Sequence, residues 1–287
     1  MTLIIGFLVV LGATIGGYLE AGGNLAAMFP IAEYIILFGI ALGLLIIASP
    51  MSLLKNLGRK IKISFRNQAV PTEDYLDALK LLYELFTKAR RGGLIAIEDD
   101  VVTPNESQIF QKYPSFLNDH ERREFLCNGL KPIIDGRLKP EQLAHMLEGD
   151  LEAKHEDAHL PVQTLNLVGD SLPGIGIVAA VMGIINTMGS ISEGAEKVGI
   201  KVGAALVGTF LGVFAAYGFV NPLGARIKLN NVYEMQYFAL LMKGIVGFTG
   251  GMAPLMAVEY ARRAIDPAFQ PSSDEVENMV KSLGSAS

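Results

Sequence analysis

Four stretches of the chain carry almost no charge: roughly residues 2–21, 31–50, 172–191 and 202–221. Each reaches the ~20 residues that a helix needs to cross the hydrocarbon core of a bilayer. Between the second and third stretches the pattern changes. Apolar residues there recur at three- and four-residue steps among many charges, which is the signature of amphipathic helices. The pattern predicts an all-α integral membrane protein. Residues 1–50 hold two transmembrane spans, 51–167 a helical cytoplasmic domain, 168–222 two further spans, and 223–287 C-terminal helices and a tail.

Within the polar part, Pro71-Thr72-Glu73-Asp74 reads as a helix start, with Thr72 as the cap and the two acids at the positive end of the dipole. Leu76, Leu79, Leu82, Tyr83 and Phe86 give that helix one apolar face, and Lys88, Arg90, Arg91 and Gly92-Gly93 end it. Beyond the diglycine come Glu98, Asp99 and Asp100. Arg90 and Glu98 are therefore either two solvated helix ends or a bipolar patch for a charged protein partner, and the residues leave both open.

Further helices are expected from Pro114 to Asp135, ended by Gly136, and from Pro140 onward, with Pro161 as a kink. The segment after Pro50, KNLGRKIKISFRN, is basic and suits anionic lipid. Ala239–Arg263 is apolar but broken by Gly250-Gly251 and Pro254, so it reads as a helix packed on protein rather than a fifth span. Glu33, near the start of the second span, is expected to be solvated at the interface, and the terminal SLGSAS to be disordered.

Cations orient the chain. Of 24 Lys and Arg, 16 fall in residues 51–167 and 6 in 223–287, while residues 1–30 hold none. Retention of positive charge inside places the central segment and both termini in the cytoplasm. The first apolar stretch lacks a basic leader and a clear A-x-A site, so it reads as an uncleaved span. A net charge of −5 argues against a nucleic-acid partner, and the single Cys127 gives neither a disulfide nor a cysteine metal cluster.

His155-Glu156-Asp157-Ala158-His159 fits H-E-x-x-H, the zinc-protease pattern. Its flanks are polar, no third ligand stands at a motif-like spacing, and Pro161 is expected to end the helix at once. It is read as two exposed helical histidines. No nucleophile elbow, phosphate loop or dinucleotide fingerprint is present, so neither an enzyme nor a cofactor is expected.

The third and fourth apolar stretches are the most informative. Asp170-Ser171-Leu172-Pro173 opens one and Asn221-Pro222 closes the other, with Asn186, Thr187, Thr209 and Tyr217 as their polar members. They are rich in Gly, Ala and Thr, which suits close helix packing. Neither holds an ionisable group in its interior that could carry an ion unaided.

VGDSLPGIGIVAAVMGIINTMGS followed by VGTFLGVFAAYGFVNPL resembles the pore-side spans of the MotA family of flagellar motor stator subunits, within the MotA/TolQ/ExbB proton-channel superfamily. GFLVVLGATIGGYLEAGG and KARRGGLIAIEDD are similar to its other signature regions. The resemblance covers nearly the whole chain. It implies an inner-membrane homopentamer around a dimer of MotB, whose single span carries the missing aspartate, and torque passed to FliG on the rotor. By the same resemblance Arg90 and Glu98 are rotor-contact charges, and Pro173, Pro222 and Thr209 belong to the ion pathway and its coupling, together with Asp170 and Tyr217. Sodium-driven relatives have threonine where this chain has Ala180. A methyl group cannot replace sodium's water shell, so protons are the expected coupling ion. The alternatives are an energiser of the TolQ and ExbB type and, from another class, a membrane zinc metalloprotease using His155, Glu156 and His159.

Overall fold

The computed structural model describes residues 2–66 and 70–284, which are helical with no strand among them. The chain divides into two compact units, residues 1–67 with 157–229 and residues 68–156 with 230–287.

The first unit begins with α1 (Thr2–Glu20) and α2 (Ile31–Ala48), joined through a 3-10 turn at Leu25–Met28. Asn24 caps that turn by accepting from the Ala26 amide at 3.0 Å. Pro50 adopts an extended conformation and starts α3 (Met51–Ser64), the basic stretch after the second span. The sequence pattern marks no helix there. Its Leu57 is buried with Val162, Leu165 and Ile227.

The third apolar stretch lies in α8, which runs unbroken from Pro140 to Met188 and contains both Pro161 and Pro173. Pro161 therefore does not end the helix, and Pro173 does not open one. Each proline removes one backbone hydrogen bond and crowds the carbonyl four residues back. A helix held by packed neighbours tolerates this, and Pro161 is itself buried.

The fourth stretch forms α9 (Ala195–Ala215), then a π turn at Ala216–Val220, and continues as α10 (Asn221–Thr249). Pro222 thus sits inside a continuing helix instead of closing it. Its ring cannot pair with the carbonyl of Gly218, and the wider π turn gives that carbonyl room. Among the described residues four helical segments are long and apolar enough to cross a membrane, as expected from the sequence.

In the second unit, α4 (Thr72–Gly92) buries Tyr75, Leu79, Leu82, Leu85 and Phe86. Pro71 takes the cap position, so Thr72 is the first helical residue and its side chain caps nothing. Asp74 is engaged instead by Arg122 at 2.7 Å. The region expected as one helix from Pro114 breaks into α6 (Pro114–Asn118) and α7 (His120–Ile134) at Asp119, whose carboxylate accepts from the Arg122 amide. Gly136, at φ +67°, follows α7 as foreseen.

The apolar 239–263 segment is no span. It turns at Gly250-Gly251 between α10 and α11 (Pro254–Arg262) and buries Leu240, Leu241, Ile245, Ala257 and Val258 in the core. Phe86 stacks on Phe248 at 4.4 Å, and Arg122 lies 4.0 Å over the Tyr237 ring. The last helix, α12, covers Ser273–Gly284, so SLGSAS begins helical; residues 285–287 lie outside the described residues.

Candidate functional site

Small residues bring α8 and α9 together along an antiparallel seam. A methyl group added at Gly176 would lie 2.7 Å from the Gly208 carbonyl oxygen, and one at Gly212 would lie 2.5 Å from the Leu172 carbonyl oxygen. At Gly183 an added methyl would meet the Ala205 methyl at 2.7 Å. Only glycine allows backbones this close, and the contact substitutes for the missing hydrophobic drive between helices in lipid.

The seam orders the residues expected to handle the ion. At one end, Gly169 touches the Asn221 side chain, next to exposed Asp170 and Pro222 and one turn from half-buried Pro173. Asn221 Oδ1 is buried and accepts no hydrogen bond. In the middle stand half-buried Thr209, beside Gly208, and buried Ala180, whose amide faces Gly208. Tyr217 projects from the π turn and is 66% exposed. The seam thus gathers Asp170, Pro173, Ala180, Thr209 and Pro222, while Tyr217 points outward.

Glu33 lies towards the opposite end and contradicts its expected solvation, being only 5% exposed. A methyl group at Gly208 would lie 2.9 Å from its Oε2, and one at Gly183 would lie 3.0 Å from its Oε1. The carboxyl group reaches from α2 into the slot that these glycines leave. Its Oε2 is buried and has no hydrogen-bond partner. Position near the start of an apolar run suggested water. The missing signal was the paired glycines, which only the fold brings together.

Arg90 and Glu98 lie in the second unit and are both exposed. Gly93, at φ +81° and ψ 169°, turns the chain from α4 into a 3-10 turn at Leu94–Ile97 and then α5 (Glu98–Val102). Lys88 reaches from α4 to Asp100 on α5 at 2.7 Å, and the Ser107 hydroxyl donates to the other Asp100 oxygen at 2.5 Å. That hydroxyl oxygen also accepts from the Ile109 and Phe110 amides. Asp100 is buried while Glu98 of the same acidic run is exposed, a difference that the sequence alone does not mark.

Known proteins show where this arrangement belongs. Residues 4–93 match the family described as motility protein A N-terminal, and residues 117–239 the MotA/TolQ/ExbB proton channel family. The chain is 35% identical to motility protein A of Escherichia coli K12 over 283 residues, covering 99% of this chain and 96% of that protein. The chain belongs to the motility protein A family. It is 32% identical to the chemotaxis protein LafT of Vibrio parahaemolyticus over 96% of this chain and 97% of that one. Its fold matches a C. jejuni MotAB structure with a TM-score of 0.75 at 21% identity, over 93% of this chain and 96% of that chain. A flagellar MotAB stator complex from Bacillus subtilis matches with 0.71, also at 21%, over 96% of this chain and 97% of that chain.

Membership of the motility protein A family, with four candidate spans, makes the chain a multi-pass membrane protein. The H-E-x-x-H pattern falls within α8, with His155 and Glu156 exposed and His159 half-buried. Among the described residues no group of three metal-binding side chains gathers there or elsewhere. The family matched by 117–239 is one of proton channels, not of hydrolases.

Proposed function

We propose that the chain is the membrane-embedded stator subunit of a proton-driven flagellar motor, working with MotB in the bacterial inner membrane. The observation that carries this reading is the similarity to motility protein A along 99% of the chain. The seam supports it. The interiors of the third and fourth spans hold no Asp, Glu, Lys, Arg or His, in keeping with a carboxylate on a partner helix that carries the ion. Exposed Ile177, Val181, Ile184 and Ile185 on α8 and Leu206 and Val213 on α9 offer apolar surface to further helices, in keeping with a pentamer around a MotB dimer.

In this reading both termini and the second unit are cytoplasmic, and the 21–30 hairpin and the 189–194 connection face out. Asp170, Pro173 and Pro222 then stand at the inner mouth of the pathway, with Ala180 and Thr209 deeper along it and Tyr217 turned towards a neighbouring helix. The π turn ahead of Pro222 supplies the compliance through which ion release moves the helix ends. Arg90 and Glu98 present opposite charges to FliG on the rotor, where complementarity sets register.

The test is genetic and ionic. Cells lacking the chain should carry assembled but paralysed flagella, with swimming restored by the chain together with MotB. A protonophore should stop them, and sodium removal at constant pH should not. Envelope leakage without paralysis would instead indicate an energiser of the TolQ type, and swimming that survives a protonophore would remove proton coupling.

A further inference from the structure

We propose that Glu33 is a second proton-exchanging carboxyl group in the stator, on this chain and in the outer part of the span bundle. The proposal rests on the reading of the chain as a proton-driven subunit.

Four observations carry it. Glu33 is 95% buried, at 5% exposure, inside a bundle where an unpaired charge is costly. Its Oε2 has no hydrogen-bond partner, and a native structure rarely leaves a buried polar atom so. Glycines on two different helices, Gly183 and Gly208, open the space it fills. Finally, Gly183 is one helical turn from Ala180 and Gly208 adjoins Thr209, so the carboxyl group sits at the back of the seam that holds the expected pathway residues.

The surroundings do not neutralise it. Residues 171–188 of α8 contain no titratable side chain. On α9 the charged groups are Glu196, Lys197 and Lys201; Lys201 stands one turn before Ala205, and its ammonium donates to the Ser190 hydroxyl. On its own helix Tyr34 donates to the Met28 carbonyl oxygen. The 3-10 turn at Leu25–Met28 carries no charge. Glu33 therefore stays buried by holding a proton. In each cycle the carboxyl group gives its proton along the seam towards the carboxylate of the partner helix and is then reprotonated at Oε2 from the outer aqueous phase, returning to its starting state.

The experiment measures proton flux and rotation speed in cells making the chain with its partner, for the wild type, Glu33→Asp and Glu33→Gln. Gln keeps the shape and cannot exchange a proton; Asp is shorter but can. The expected order is wild type, then Asp, then Gln, with flux in E33Q down by about 10²-fold, the lower end of what a positioned acid–base group contributes. Gln equal to or better than Asp would overturn the proposal and make Glu33 a packing residue. If neither variant assembles, the wild-type complex is treated with an apolar carbodiimide, which reacts with protonated carboxyl groups. Modification of the Glu33 peptide by mass spectrometry supports the proposal, and its absence overturns it. A wild-type complex that conducts no protons would instead sink the stator reading itself.

Discussion

Lys88 and Asp100 close an ion pair at 2.7 Å between α4 and α5, and each stands two residues from one of the exposed charges Arg90 and Glu98. The spacing of the patch is thus set by a buried acid behind it. Asp100→Ala would leave the Ser107 hydroxyl and the Lys88 ammonium without their acceptor, at a cost of about 1–3 kcal/mol. The purified protein should melt at a lower temperature and swarm diameter should shrink, although Arg90 and Glu98 are intact. Arg90→Ala should reduce swarming without moving the melting temperature.

The turn that joins those two helices is equally constrained. Gly93 sits at φ +81° and ψ 169°, a region nearly closed to side chains. Gly93→Ala should cost about 1–3 kcal/mol in backbone strain. Thermal unfolding would show it, together with faster proteolysis within residues 90–100.

The seam makes a sharper demand. An added methyl at Gly212 meets two stretches of backbone, the Leu172 carbonyl at 2.5 Å and the Gly176 Cα at 3.0 Å, and neither can turn aside. Gly212→Ala should separate α8 from α9 and abolish swimming while the protein still reaches the membrane. Gly199 on the same helix faces open space. Its change to Ala should be harmless or add up to about 1 kcal/mol through reduced backbone freedom. Swimming assays on the two variants, with immunoblots of membrane fractions, decide the matter.

Burial pushes the Cys127 thiol up to about 12, so almost no thiolate exists at neutral pH. A maleimide should label Cys127 only when the second unit unfolds. Rapid labelling of the native protein at pH 7 would contradict the packing around α7.

Near the C-terminus the Arg262 guanidinium holds the Glu259 carboxyl group below its usual value through paired hydrogen bonds at 2.7 Å. A lowered folded value means that the pair stabilises above the ordinary carboxylate range and loses this as pH falls through the depressed value. Arg262 also donates to the Pro271 carbonyl and the Ser273 hydroxyl, so it fastens the start of α12. Acid should loosen residues 271–284 first, which hydrogen exchange across pH 3 to 6 would reveal. Glu259→Gln should flatten that pH dependence.

Much of this fold can be read from the chain, and the exceptions have physical reasons. The four spans follow from uninterrupted apolar length, and α4 from its three- and four-residue steps. Pro161, Pro173 and Pro222 read as boundaries because a proline weakens an isolated helix. In the structure a packed neighbour or a π turn absorbs each one. Asp119 splits one expected helix because its side chain caps better than its backbone continues. Glu33 is the largest departure. Its burial depends on Gly183 and Gly208, 150 and 175 positions away, and no local pattern reports a slot made by two other helices.

The π turn at Ala216–Val220 also has a consequence for chain length. A wide turn accommodates one residue more than an ordinary helix would. Removing any one of those five would restore regular winding and take away the room that the wide turn leaves ahead of Pro222. The ring of Pro222 would then press on a carbonyl that no longer gives way. This short stretch should therefore accept changes of side chain far more readily than the loss of a single residue.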